Sequence, residues 1–176
     1  MTPRTDGPDL AEPATRELRV TWEDPLASAQ AGRELSGLEY MRAIAEGRLP
    51  AAPIAALMHF EPVAGTLTEG HVRFRCVPGE QHFNPIGLVH GGLSSTLLDS
   101  SMGCAVHTML PAGVGYATLE LKVNLVRAIT LDTGPIAATG DVIHAGGRIA
   151  TAEGRITAER TGKLLAHGTT TCMILR

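Results

Sequence analysis

Aromatic side chains are scarce in this 176-residue chain: one Trp, two Tyr and three Phe, or 3%. Stacking on unpaired bases needs aromatic platforms, and a net charge of −3 offers nothing to a phosphate backbone. Nothing therefore points to a nucleic-acid partner. No apolar run is long enough to span a bilayer, although the hydrophobic content of 44% is ordinary for a globular domain. No membrane partner is expected. The three cysteines, Cys76, Cys104 and Cys172, are scattered and odd in number. They read as free buried thiols in a reducing cytoplasm, not as a disulfide framework. Residues Met1 to Arg19 lack an apolar stretch, so no secretory signal is expected.

Charge is also missing where it would be least expected. Between Gly91 and Leu119, Asp99 is the only Asp, Glu, Lys or Arg. Desolvating a lone carboxylate is costly, so such an acid either faces water or does chemistry. Upstream lies Asn84-Pro-Ile-Gly87-Leu-Val-His90-Gly91-Gly92, a turn leading into a helix start. Backbone donors at a helix start favour negative charge, and glycine there lets a substrate come close. Asp99 is nine residues beyond His90, roughly 13 Å along one helix axis. A polarising donor and an attacking base must both reach one carbonyl, within about 3 Å. One helix cannot supply both. Two antiparallel copies could, so a catalytic reading requires at least a dimer with two equivalent sites.

The remaining pattern is α+β. Residues 1–32 are rich in Pro, Asp, Glu and Ala without apolar periodicity, and read as a loosely packed arm. Ser36-Gly-Leu-Glu39 is a capping box opening a helix to about Glu46, and Pro53 starts a short helical turn to Met58. Strands are predicted over 59–64 and 68–77. The central helix should run from Gly91 to Met109, apolar or small nearly all round and hence buried. Strands follow over 115–127, 136–144, 148–160 and 163–174. The last three are joined by tight turns at Gly146-Gly147 and Thr161-Gly162, so they are antiparallel.

Asn84, Gly87, His90-Gly91-Gly92 and Asp99, with Ala117-Thr118-Leu-Glu-Leu-Lys-Val-Asn-Leu-Val-Arg127 downstream, resemble the signature of hot-dog-fold acyl-CoA thioesterases of the phenylacetate-degradation type. The resemblance covers roughly the last two thirds of the chain. It implies a hot-dog fold over 59–176, an antiparallel sheet wrapped around one long central helix. Residues 33–58 would then form an N-terminal helical segment, placed to cover part of the acyl pocket. The implied activity is acyl-CoA hydrolysis in homodimers that pair into tetramers. By position, Asp99 would be general base or nucleophile, and Gly91 N–H would polarise the thioester carbonyl. Asn84 and His90 would position substrate or water. Gly92, Thr118 and Arg127 would contact substrate. No cofactor or metal is implied.

Blander roles stand beside these. Asn84 before Pro85 suits a turn, and His90 suits a backbone-bonding role. Gly91 and Gly92 suit close helix packing, and Thr118 suits an ordinary strand position. Lys122, Arg127 and Arg148 are candidates for coenzyme A phosphates, but charged strand residues usually face water. The histidines lack metal-ligand spacing, Gly92-Leu-Ser-Ser is not a nucleophile elbow, and no phosphate-binding loop or dinucleotide fingerprint occurs. Two rival functions share the implied fold. A non-catalytic acyl-CoA-binding protein would have no need of Asp99. A dehydratase or hydratase would use His90 as base within an acid–base pair, whereas one acid at this spacing fits hydrolysis better.

Overall fold

A computed structural model describes residues 14–176; the first thirteen residues of the expected arm lie outside that range. Within the rest of the arm stands a helix, α1 (Pro25–Gly32), an element the sequence reading did not anticipate. Its start signal is local: Asp24 accepts the Leu26 N–H at 2.9 Å, and Pro25 follows at the helix start. Only Ser28 is buried along it, so apolar periodicity could not reveal it.

Helix α2 (Gly37–Ala45) opens with the expected capping box, Ser36 and Glu39 bonding reciprocally. It buries Met41 and Ala43, and the Gly37 N–H bonds the Leu110 carbonyl at 2.9 Å. Helix α3 (Pro53–Met58) starts at its proline and ends at His59, whose φ of 53° is the only left-handed value among the described non-glycine residues.

Six strands form one antiparallel sheet: β1 (Phe60–Pro62), β2 (His71–Cys76), β3 (Gly115–Leu125), β4 (Ile136–Ala145), β5 (Ile149–Ala158) and β6 (Leu164–Leu175). Their order across the sheet is β1-β2-β4-β5-β6-β3. The expected alternation in β5 holds: Ala150, Ala152, Ile156 and Ala158 face the core. Helix α4 (Gly91–Thr108) is the element the sheet wraps. Its Leu97, Leu98, Met102 and Val106 are almost wholly buried, each worth about 1.5–3 kcal/mol of burial. This is the hot-dog arrangement that the resemblance implies.

The helix can lie so close because of two glycines in a row of three. Gly140, Gly154 and Gly168 stand opposite one another in register across β4, β5 and β6. A Cβ at Gly140 would overlap the Ser101 carbonyl, and one at Gly154 would come within 2.8 Å of Met102 Cγ. At Gly168 the closest atom would be the Lys122 carbonyl oxygen of the neighbouring strand at 2.5 Å, with Leu98 Cδ1 only in ordinary contact at 3.4 Å. Gly140 and Gly154 are therefore the groove for α4, and Gly168 admits the backbone of β3.

Strand β3 forms one edge of the sheet and β1 the other. Strand β3 pairs with β6 alone and runs for 11 residues. Leu119 and Leu125 on it are more than half exposed. No helix among the described residues is long and apolar enough to cross a membrane.

Candidate functional site

The turn before α4 is built by Asn84. Its side-chain Oδ1 accepts the N–H groups of Ile86 and Leu88, each at 3.1 Å. Its backbone carbonyl accepts the Gly87 N–H at 3.1 Å, and Gly87 has φ of 77°. Asn, Pro and Gly thus take the first, second and fourth turn positions, as their conformations favour. The Asn84 carbonyl oxygen is spent on the loop, which leaves its Nδ2 for any other partner. A small bridge between Phe83 and Val89 closes the turn, and the His90 N–H bonds the His82 carbonyl at 2.8 Å.

His90 is the N-cap of α4. Its Nδ1 accepts the Gly92 N–H at 2.8 Å, which puts the proton of a neutral ring on Nε2. The structural role given to His90 is therefore present. It also corrects the picture of two open donors at the helix start, because the Gly92 N–H is already taken. No hydrogen bond to the Gly91 N–H is found among the described residues. That donor stands at the positive end of the helix dipole, ready for an anion.

Asp99 lies two turns further along α4, half-buried. Thr118 Oγ1 on β3 donates to its Oδ1 at 3.1 Å, leaving Oδ2 available. A β-bulge after Thr118 puts Leu119 out of register, and bulges of this kind re-aim side chains beside functional sites. Asp99 makes no ion pair among the described residues. The carboxylate therefore faces the open β3 edge of the sheet, fixed by a neutral hydroxyl.

Tyr116 escaped the sequence reading, as did the proximity of Cys104 and Cys172 to Asp99. Burial pushes the Cys104 thiol up to about 12, and the nearby Asp99 adds to this. Burial also raises Cys172, again with a contribution from Asp99. Both stay protonated at neutral pH, and a thiol is a poor nucleophile, so they do not compete with the carboxylate. The Tyr116 hydroxyl is held well above its usual range, chiefly by burial. One signal could have flagged Tyr116: it stands two residues before Thr118 in a strand, on the same face.

The structure brings Asn84, His90, Gly91 and Gly92 together at one end of α4, and Asp99 with Thr118 at a separate point. Eight residues separate Gly91 from Asp99, roughly 12 Å of helix. Arg127, just beyond β3, donates to the Leu164 carbonyl at 2.6 Å and is exposed. Lys122 and Arg148 are exposed too.

Residues 86–165 match a family model described as the thioesterase superfamily. That span holds His90, Gly91, Asp99, Thr118 and Arg127, with Asn84 just outside it. Human acyl-coenzyme A thioesterase 13 is 30% identical over 115 residues, which is 62% of this chain and 81% of that protein. The conserved protein PA5202 from Pseudomonas aeruginosa is 30% identical in its solved structure, with a TM-score of 0.64 over 71% of this chain and 95% of that one. The PaaI protein from the phenylacetic acid degradation operon of E. coli has a TM-score of 0.67 over 81% and 96%. At 18% identity, that last likeness shows the fold alone.

Proposed function

This chain belongs to the thioesterase superfamily, and we propose that the thioesters it hydrolyses are acyl-CoAs, at a site shared between two subunits. One observation carries the shared site: the free Gly91 N–H and the Thr118-held Asp99 sit on one rigid helix, too far apart to serve one carbonyl. A second copy related by a two-fold axis supplies the missing half. The open β3 edge supports this, since a long unpaired strand with exposed leucines is a template for pairing. Pairing there would set the two α4 helices antiparallel. The family resemblance extends the dimer to a dimer of dimers.

In this reading the thioester carbonyl sits against Gly91 N–H of the partner subunit. Asp99 Oδ2 takes a proton from water as the resulting hydroxide adds to the carbonyl carbon. Negative charge gathers on the carbonyl oxygen, where the amide donor and the helix dipole stabilise it. Collapse of the adduct breaks the C–S bond, and the departing thiolate takes the proton back from Asp99. The products are the free acid and the coenzyme A thiol. Direct attack by Asp99 would instead expel the thiolate and form an acyl-aspartyl anhydride, which water opens at either carbonyl. Label entering the Asp99 side chain in a single turnover in labelled water would establish that route.

The test measures free thiol released from aryl, short, medium and long acyl-CoAs by wild type and Asp99→Asn. The expected loss is about 100-fold or more in kcat, with the melting temperature kept, as general-base removal costs. An Asp99→Asn enzyme as fast as wild type ends the assignment. The shared site has its own test. Asp99→Asn chains mixed with chains disabled at Gly91 should regain part of the activity, because one of the two sites in a mixed dimer is intact. No recovery would place both groups of a site in one subunit.

A further inference from the structure

Asp99, Gly103 and His107 follow one another at every fourth residue of α4, on one face of the helix. Thr118 and Tyr116 share one face of β3 and run past that stripe in the opposite direction. Thr118 meets Asp99. Tyr116 meets Gly103, where a Cβ would come within 2.7 Å of the tyrosine hydroxyl. The His107 ring follows, its centroid 5.7 Å from Tyr116 and 5.6 Å from Tyr40 on α2. The chain's two tyrosines and one histidine thus form a column across the end of the stripe. Beyond it lies an open cavity of about 560 Å³, lined by Tyr40, His107, Leu35, Val114 and Leu175 together with Arg33 and Arg176. Asp99 is not among its lining residues.

We propose that Tyr116 sets the length of acyl chain this enzyme accepts, its ring separating the reaction site at Asp99 from the cavity beyond His107. The inference rests on the acyl-thioester reading above. Tyr116 projects over Gly103, one helical turn from the carboxylate, or roughly 6 Å. The cavity opens about one turn further. An acyl tail running along α4 from the thioester meets the tyrosine ring before it can enter that space. The surfaces on either side suit a hydrocarbon. Gly103 is flat, burial holds His107 below its usual range and hence neutral, and Leu35, Val114 and Leu175 give the far side an aliphatic wall, with Arg33 and Arg176 on the same cavity. Gly103 is also what gives the ring its place, since any side chain there would displace the hydroxyl.

The test compares kcat/KM for butanoyl-CoA and dodecanoyl-CoA. Tyr116→Ala should raise the dodecanoyl-to-butanoyl ratio about tenfold or more, the discrimination that a few newly buried methylenes carry. Tyr116→Phe keeps the ring and should leave the ratio unchanged. Adding Val114→Trp to Tyr116→Ala refills the cavity and should return the ratio to the wild-type value. A folded Tyr116→Ala whose ratio does not rise overturns the proposal, as does a second substitution that fails to reverse it. Should Tyr116→Ala not fold, Tyr116→Leu keeps much of the buried volume and must move the ratio the same way; an unmoved ratio again overturns it. A wild type that releases no thiol from any acyl-CoA removes the substrate reading and this proposal together. A wild type active across the panel with unmoved ratios removes the role of Tyr116 alone.

Discussion

Gly91→Pro deletes one backbone N–H at the start of α4 and little else. Gly91 is the first helical residue, where proline's fixed φ suits the helix and its missing donor breaks no helical bond. His90 before it has φ of −64° and ψ of 137°, the extended conformation that a following proline imposes. The resting enzyme loses no hydrogen bond, because none reaches that N–H among the described residues. The added Cβ would come within 2.7 Å of Leu125 Cδ1, but Leu125 is 61% exposed and can swing aside. Gly91→Ala brings the same Cβ and keeps the N–H, so it serves as the control. If the N–H meets charge that develops on the carbonyl oxygen, its loss costs ~3 kcal/mol of transition-state stabilisation, or about 100- to 1,000-fold in kcat. KM should move much less, because the donor acts on charge that the ground state lacks. Thiol release at saturating substrate, with thermal melts of all three proteins, measures this. A Gly91→Pro enzyme that turns over as fast as Gly91→Ala would refute the oxyanion role of that amide.

Three other outcomes follow from the geometry. Thr118→Val removes the donor at 3.1 Å from Asp99 and should lower kcat by about tenfold or more, given the ~1.5–3 kcal/mol of a hydrogen bond to a charged group. Thr118→Ser should restore it, and an unaffected valine variant would show that the bond does nothing for turnover. Gly140→Ala forces a methyl into the Ser101 carbonyl, an overpacking worth about 1–3 kcal/mol, so Tm should fall by about 2–12 °C; a melt superimposed on wild type would deny the close crossing. His82 is buried, its Nδ1 accepts the Gly79 N–H at 3.0 Å, and its Nε2 has no hydrogen-bond partner among the described residues. Burial first, and the neighbouring His59 second, hold its pKa below the usual histidine value. Its contribution to stability is therefore complete above about pH 6.5 and is lost as pH falls from there towards the lower folded value. His82→Asn offers an oxygen to the same N–H and should flatten part of the fall in urea midpoint between about pH 7.5 and 5.5, with His107, also lowered by burial, keeping the remainder. An equally steep fall in the variant would remove His82 as a source.

Much of this molecule was legible because its signals are local. Ser36 and Glu39 announced α2 through bonds spanning three residues, and Pro53 announced α3. Asn84, Pro85 and Gly87 announced the turn into α4 through the conformations each prefers. The uncharged run around Asp99 announced a buried helix, and alternation in β5 announced its inward face. The acid, the glycine amide and their separation along one helix also follow from spacing alone, so the proposal of a second subunit could be argued before any coordinates. Helix α1 was the local feature that went unread, although Asp24 and Pro25 mark its start, because a helix that buries one serine carries no apolar stripe.

Long-range register decided the rest. β3 precedes β4 in the chain yet lies at the far edge beside β6, and only that placement leaves its edge open next to Asp99. Gly140, Gly154 and Gly168 fall into one row only after three strands pair, and Gly140 and Gly154 admit α4 only where the helix crosses them. The same folding spends the Gly92 amide on His90, leaves the Gly91 amide without a partner among the described residues, and sets Tyr116 over Gly103. Short-range preferences are written in neighbouring residues, whereas these meetings between distant ones depend on how the whole sheet closes around its helix.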